Sequence, residues 1–155
     1  VWLDARSRWK GAAAVGAYAH VVESVDRVKL VHALSRAATA HRADRPALRC
    51  LVQVCLDDRP GRGGADPTLV EQIAAEIEAA PGLSLGGVMA VAPLDADPDP
   101  AFARLAEIAA DVRSHHPEAA TVSAGMSGDL EAAVRHGATQ VRLGSAVLGY
   151  RPPVG

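Results

Sequence analysis

Residues 141–146, with the sequence VRLGSA, combine groups that can bind an anion. If the segment is a strand, Arg142 and Gly144 point to one side and their neighbours point to the other. A buried guanidinium keeps its charge and needs a partner, Gly144 lets backbone approach a ligand closely, and Ser145 adds an amide and a hydroxyl. The alternative is an Arg142 paired with a carboxylate of the protein and a glycine that merely ends a strand.

A second segment, residues 123–131 (SAGMSGDLE), joins a predicted strand to a predicted helix through two glycines. Ser127 or Gly128 can serve as the N-cap, so that free amides and the positive end of the helix dipole face a bound group. Ordinary capping, in which Asp129 and Glu131 supply favourable charge to the first turn, explains the same residues. The two interpretations are compatible, and the segment indicates a helix start that can also contact a phosphate.

Two further groups of reactive side chains receive structural interpretations. The pair His115 and His116 stands at a predicted helix end, where imidazole complements the dipole, and no third ligand for a metal lies nearby. Cys50 and Cys55 lie five apart in a strand-like run, so they face opposite sides and are predicted to be reduced thiols. No Ser/His/Asp arrangement or nucleophile elbow is present, so no catalytic residue is predicted.

The fold class follows from how apolar runs alternate with helical segments. Residues between the runs repeat with helical period, and proline or glycine marks most helix ends. Strands that alternate with helices form a parallel α/β sheet, and unbroken apolar strands indicate that both faces are buried. The predicted strands are residues 20–25, 50–56, 85–91, 121–124 and 140–143.

Two features favour a barrel over an open sheet. No Gly-x-Gly-x-x-Gly follows the first strand, whereas glycines and hydroxyls follow the last two. In a (β/α)8 barrel the loops after strands seven and eight commonly bind phosphate, and a whole barrel takes about 250 residues. The chain is therefore expected to be one domain, residues 1–155, with about five βα units of an incomplete TIM-type barrel and an irregular start over residues 1–18.

Composition excludes several classes of partner. The 155 residues are 49% apolar and 22% charged, with a formal net charge of −2. No basic patch predicts nucleic-acid binding, and no apolar stretch approaches the ~20 residues needed to span a bilayer. Charged residues interrupt the N-terminal stretch, which does not resemble a signal peptide. A cytoplasmic location is expected.

Four segments together carry a resemblance to a known family. HVVESVDRVKLVHALSRAA, LVQVCLDDRPGRGGAD, LGGVMAVAPL and VSAGMSGDLEAAVRHGATQVRLGSAVLG resemble successive blocks of the pyridoxal-phosphate homeostasis protein family. The likeness runs from about Val15 to Gly149, and the last block is the most specific. That family is a one-domain barrel similar to the N-terminal domain of alanine racemase, which implies the same fold here.

The resemblance also implies a cofactor, pyridoxal 5′-phosphate, and residues that bind it. By motif, Ser127, Gly144 and Ser145 would hold the phosphate, with Met126 nearby, and Arg142 would face the pyridine nitrogen. An arginine donates a hydrogen bond to that nitrogen and cannot accept one from a protonated nitrogen. The pyridine nitrogen therefore stays unprotonated, and the ring is a poor electron sink. This suits a carrier or regulator of the cofactor better than an enzyme, so catalysis is not expected.

One departure from the family concerns the lysine that forms a Schiff base with the cofactor. The family carries it on the first barrel strand, which this chain is expected to lack through N-terminal truncation. Lys29 matches a helix-surface position, and Lys10 lies in a start that keeps little of the family pattern. Neither lysine is therefore assigned a catalytic role.

Three functions remain open at this point. The first is a binding protein for pyridoxal phosphate that serves vitamin B6 homeostasis. A racemase-like enzyme would need the lysine and a second base, and a non-functional remnant would be an incomplete barrel. The family is monomeric, whereas five strands leave two exposed sheet edges, through which self-association is expected.

Overall fold

A computed structural model describes residues 12–57, 59, 61–94, 96–144, 147 and 149, in which helices and strands alternate. The predicted start, residues 1–18, lies outside these residues except for one short helix. In chain order the elements are α1 (Ala12–Tyr18), β1 (Val21–Val25), α2 (Val28–His41), β2 (Leu48–Val54), a 3-10 turn (Pro67–Leu69), α3 (Val70–Ala79), β3 (Leu83–Ala90), α4 (Pro98–His115), β4 (Thr121–Ser123) and α5 (Leu130–Arg135).

The four strands form one parallel sheet in the order β1-β2-β3-β4. Each crossover between neighbours contains a helix, so the predicted α/β class is confirmed. The fifth predicted strand, residues 140–143, was wrong as a strand, because Gln140 makes only an isolated parallel bridge to Ser123. Beyond that bridge, Arg142 N donates to the Gly125 carbonyl, in the loop after β4, at 2.9 Å.

The sheet is strongly curved, as a barrel wall must be. In a flat sheet, strands spaced about 4.8 Å apart would place β1 and β4 about 14 Å from each other. Instead, the Ser123 hydroxyl on β4 donates to Glu23 on β1 at 2.9 Å. Arg49 on β2 passes over Gly86 and donates to the Thr121 hydroxyl at 2.9 Å, where a Cβ on Gly86 would lie 2.4 Å from the Arg49 Nε. Glycine in β3 therefore leaves room for the contact across the concave face.

The convex face of the sheet carries the main core, under the helices. The apolar residues that were predicted from their helical spacing in α2, α3 and α4 point into this core. They are Leu30, Val31, Leu34, Ala38, Val70, Ile73, Ala74, Ile77, Leu105, Ile108, Ala109 and Val112, and all except the half-buried Ile108 are fully buried. Because few aromatic residues are available, aliphatic side chains fill most of this layer. Within the described ranges, no helix is both long and apolar enough to cross a membrane.

Both cysteines are free thiols, as predicted. Cys50 is buried within β2, and burial raises the pKa of its thiol to about 12, with nearby Arg42 opposing that rise. Cys55 follows the strand, is half-buried and donates from Sγ to the Asp57 carbonyl at 3.1 Å. The high pKa keeps Cys50 in the unreactive thiol form.

His116 joins the carboxyl end of α4 to two glutamates of α3. Its Nδ1 lies 2.7 Å from Glu78 Oε2, and its Nε2 lies 3.0 Å from Glu71 Oε1. Burial disfavours the charged imidazole, but the hydrogen bonds to Glu78 and Glu71 outweigh it and raise the pKa of His116 above its usual value. Across the described residues, no three or more His, Cys, Asp or Glu side chains are placed to hold a metal ion.

We expect this contact to make stability depend on pH. A histidine with a raised pKa in the folded state stabilises fully below its unfolded pKa of about 6.5, and the gain is lost as pH rises through the folded pKa. The free energy of unfolding should therefore fall as pH rises above about 6.5 and through the raised pKa of His116. Urea unfolding of His116→Gln should show a smaller fall, and the control is His41→Gln, at an exposed side chain in the last turn of α2. Equal pH dependence in His116→Gln and the unaltered protein would contradict the assignment.

Candidate functional site

The guanidinium of Arg142 caps the carboxyl ends of two neighbouring strands. Its Nη2 donates to the carbonyl of Ala90, the last residue of β3, at 2.8 Å. Its Nη1 donates to Ser123, the last residue of β4, at 3.0 Å to the carbonyl and 2.8 Å to the hydroxyl. In parallel α/β folds this edge of the sheet is where ligands bind.

A buried polar network surrounds that guanidinium. Glu23 is 8% exposed and Ser123 is fully buried. The Ser123 hydroxyl contacts both Glu23 and the guanidinium of Arg142. The Gln140 amide donates to the other oxygen of Glu23. Arg142 Nη1 lies 4.0 Å from Glu23 Oε2, so the carboxylate compensates its charge without a direct hydrogen bond.

The electrostatics keep Arg142 a cation. Burial lowers its pKa from the usual value, and the negative charges of Glu23 and Asp129 act against that. The pKa of an arginine is so far above neutral pH that its side chain remains charged in either case. The alternative interpretation, an arginine paired inside the protein, is therefore partly correct, because Arg142 has partners within the protein. Its positive charge nevertheless lies at the carboxyl ends of the strands.

The loop after β4 is closed by a carboxylate rather than by the predicted cap. The Met126 amide donates to Asp129 Oδ1 at 2.6 Å, and the Asp129 amide donates back to the Met126 carbonyl at 3.2 Å. The N-cap of α5 is Asp129, so the prediction that Ser127 or Gly128 caps it was wrong. The reason is that Asp129 turns its side chain back into the loop, which leaves Ser127 and Gly128 exposed at the turn.

The other predicted binding residues are in this loop or follow Arg142 in the chain. Met126 is half-buried, Ser127 and Gly144 are exposed, and Ser145 lies outside the described residues. A Cβ placed on Gly144 would meet no atom of the described residues within 4 Å, so these residues leave the space beside its backbone open. The hydrogen bond from Arg142 N to the Gly125 carbonyl holds the loop beside the arginine, and Gly144 comes two residues later.

An open cleft of about 450 Å³ lies beside the start of α5, and Ser127 is part of its lining. Three carboxylates, on Asp99, Asp129 and Glu131, share that lining with the basic side chain of Arg135. Arg135 is paired with Asp99 at 2.8 Å, so two acids remain uncompensated by it. The cleft is therefore a poor site for a phosphate.

Sequence reasoning missed Glu23, Ser123 and Gln140 as members of this network. The available signal was a charged residue in the middle of an apolar strand, VVESV. A carboxylate buried there needs hydrogen-bond donors from elsewhere in the fold. The donors come from residues 100 and 117 positions away along the chain, beyond the reach of local patterns.

The comparison with protein-family models matches residues 5–152 to the alanine racemase N-terminal domain. The chain belongs to this family. Its curved parallel sheet, with helices on the convex face, fits membership. The described lysine, Lys29, is exposed on α2, and Lys10 lies outside the described residues.

Curated relatives in this family carry one name. Pyridoxal phosphate homeostasis proteins of Mycobacterium tuberculosis and Mycobacterium bovis are 47% identical over 146 residues, which are 90% of this chain and 57% of theirs. The protein of that name from Corynebacterium glutamicum is 40% identical over 147 residues, 92% of this chain and 66% of its own. The predicted resemblance is confirmed, and the chain spans less than two thirds of the length of these relatives.

Solved structures agree on the fold. PipY of Synechococcus elongatus, solved with pyridoxal phosphate bound, is 25% identical, with a TM-score of 0.82 over 96% of this chain and 69% of PipY. Alanine racemase of Corynebacterium glutamicum is 18% identical, with a TM-score of 0.62 over 87% of this chain and 37% of the racemase. The second likeness shows the fold alone, and it supports the predicted barrel type.

Proposed function

We propose that this chain binds pyridoxal 5′-phosphate at the carboxyl ends of β3 and β4 and serves pyridoxal-phosphate homeostasis. The observation that carries the proposal is the anchored, charged guanidinium of Arg142 at that edge of the sheet. The names of the mycobacterial relatives and the PipY structure with pyridoxal phosphate bound support the choice of ligand.

The side chains present fit this ligand. Arg142 uses both hydrogens of Nη1 and one of Nη2 in its hydrogen bonds, and its Nε makes none with any described residue, so the Nε–H remains for a ring nitrogen beside the second hydrogen of Nη2. Open space beside Gly144 allows a phosphate to approach the backbone, and the Ser127 hydroxyl adds a donor from the adjacent loop. We include Met126 as a neighbour of the phosphate and Ser145 as a phosphate donor, following the family motif.

The same arginine favours binding over catalysis. Bound pyridoxal phosphate supplies an aldehyde and a ring that can withdraw electrons, most strongly when the ring nitrogen is protonated. Arg142 donates a hydrogen bond and cannot supply that proton, so the ring nitrogen stays unprotonated. We therefore propose a carrier or regulator of the cofactor rather than a racemase-like enzyme.

Location and assembly are proposals of the same kind. Two free cysteines fit the reducing cytoplasm, where structural disulfides are rare. The edge strand β1 pairs only with β2 among the described residues, so self-association through sheet edges stays a prediction. Light scattering over a range of protein concentrations would measure it.

A comparison of two ligands tests the proposed function. Fluorescence titration should give saturable binding of pyridoxal phosphate, and pyridoxal, which lacks the phosphate, should bind at least about tenfold more weakly. Ser127→Ala should reduce the difference in affinity between the two ligands, because it removes one hydrogen-bond donor to the phosphate. The control is Ser114→Ala, because the Ser114 hydroxyl bonds, among the described residues, its own helix and its neighbour His115. Equal affinity for the two ligands would contradict a phosphate site.

A further inference from the structure

A carboxylate, that of Glu23, stands in the middle of β1. Glu23 points to the concave side of the sheet and is only 8% exposed. A buried carboxylate is unfavourable unless donors satisfy it, and the cation of Arg142 lies 4.0 Å away, measured from Nη1. An apolar residue would be more favourable at this buried position, so we look for the role of the carboxylate in the groups that it binds.

The Ser123 hydroxyl relays the position of Glu23 to Arg142. This hydroxyl donates to Glu23 Oε2 at 2.9 Å and accepts from Arg142 Nη1 at 2.8 Å. A hydroxyl has one proton, so donating it to the carboxylate turns the oxygen lone pairs toward the guanidinium. Each hydrogen bond strengthens the other, as in other buried chains of this kind.

Gln140 supplies a second connection between the same two residues. Its amide donates to Glu23 Oε1, and it lies two residues before Arg142 in the chain. The backbone that carries Arg142 is therefore held to β1 from one side, and its guanidinium is held through Ser123 from the other. The Nη2 bond to the Ala90 carbonyl, at 2.8 Å, completes the restraint.

A guanidinium is planar and rigid, so fixing Nη1 and Nη2 also fixes the direction of the Nε–H bond. We propose that Glu23 is a positioning residue that holds Arg142, through Ser123 and Gln140, with Nε aimed at the unprotonated ring nitrogen of the ligand. The inference rests on the proposed function. It adds the source of specificity, because Glu23 then controls selection for a nitrogen heterocycle and leaves phosphate binding unaffected.

The test compares pyridoxal phosphate with an analogue that has carbon in place of the ring nitrogen. The unaltered chain should prefer pyridoxal phosphate by about tenfold, the value of one hydrogen bond to a charged donor. Glu23→Gln and Ser123→Ala should reduce that preference to about twofold, while affinity for the analogue stays within about twofold of its original value. Dissociation constants for both ligands come from the same fluorescence titration.

Three results would overturn the inference. Equal weakening of both ligands in Glu23→Gln, with an unchanged thermal midpoint, would make Glu23 a general structural residue. Equal binding of both ligands by the unaltered chain would remove the ring-nitrogen contact, and with it the argument for a carrier over an enzyme, but would leave pyridoxal-phosphate binding intact. Binding of neither ligand would defeat the proposed function and the inference with it. Glu107→Gln, on the exposed face of α4, is the matched control and should keep the full preference.

Discussion

Replacing Arg142 with alanine is expected to weaken pyridoxal-phosphate binding by about 10- to 100-fold. A hydrogen bond to a charged group contributes about 1.5–3 kcal/mol, and its loss accounts for that range. The change also leaves the Ala90 and Ser123 carbonyls without the donors that Arg142 supplies. Arg142→Lys should not restore affinity, because a lysine keeps the charge and loses the planar fork.

Fluorescence titration measures this loss, and thermal unfolding separates it from a folding defect. The control is Arg135→Ala, which removes a basic side chain that is 59% exposed on α5 and paired with Asp99. It should change affinity by less than about twofold, as expected for a solvated ion pair. An Arg142→Ala protein that folds and binds within about threefold of the original would contradict the role given to this residue.

Gly87→Ala is expected to destabilise the fold by about 3–5 kcal/mol, which is near the whole stability of a small domain. Gly87 lies in β3 with φ +136°, and a Cβ there would stand 2.0 Å from the Thr121 carbonyl oxygen on β4. The obstacle is backbone in a paired strand, so no side-chain rotation relieves it. Separation of β4 from β3 would also displace Ser123, and ligand binding should be lost together with stability.

The matched control is Gly137→Ala, which has the same kind of backbone without the contact. Gly137 has φ +85°, and no atom of the part of the chain that the structure describes lies within 4 Å of its added Cβ. Only the conformational penalty remains, about 1–2 kcal/mol. Urea unfolding compares the two variants. A loss in Gly87→Ala no larger than in Gly137→Ala would mean that β3 and β4 do not approach as closely as described.

The helices and the parallel sheet were predictable because their signals are local. Apolar stripes at helical spacing identified α2, α3 and α4, and apolar β-branched runs identified the strands within a few residues. The last run, residues 140–143, carries the same signal but has only an isolated bridge to β4, because pairing depends on partners elsewhere in the fold.

The site was predictable only where a motif carried it. Arg142 and the glycines stand in a recognisable segment, but the network that holds the arginine joins Glu23 to Ser123 across the curve of the sheet. Curvature depends on close approaches such as that of Gly87 to Thr121, which no spacing along the chain reveals. The prediction of the N-cap of α5 was wrong for a similar reason. The Asp129 side chain has two competing hydrogen-bonding choices, and it accepts from the Met126 amide in the loop.

The most direct test of the central claim is equilibrium binding of pyridoxal phosphate to the 155-residue chain, followed by borohydride reduction and intact-mass measurement. The account predicts saturable binding of one equivalent, weakened in Arg142→Ala, with no stoichiometric increase in mass after reduction. Absence of saturable binding would contradict it. A stoichiometric adduct on Lys10 or Lys29 would also contradict it, because the ligand would then be held by a lysine to which no such role is assigned.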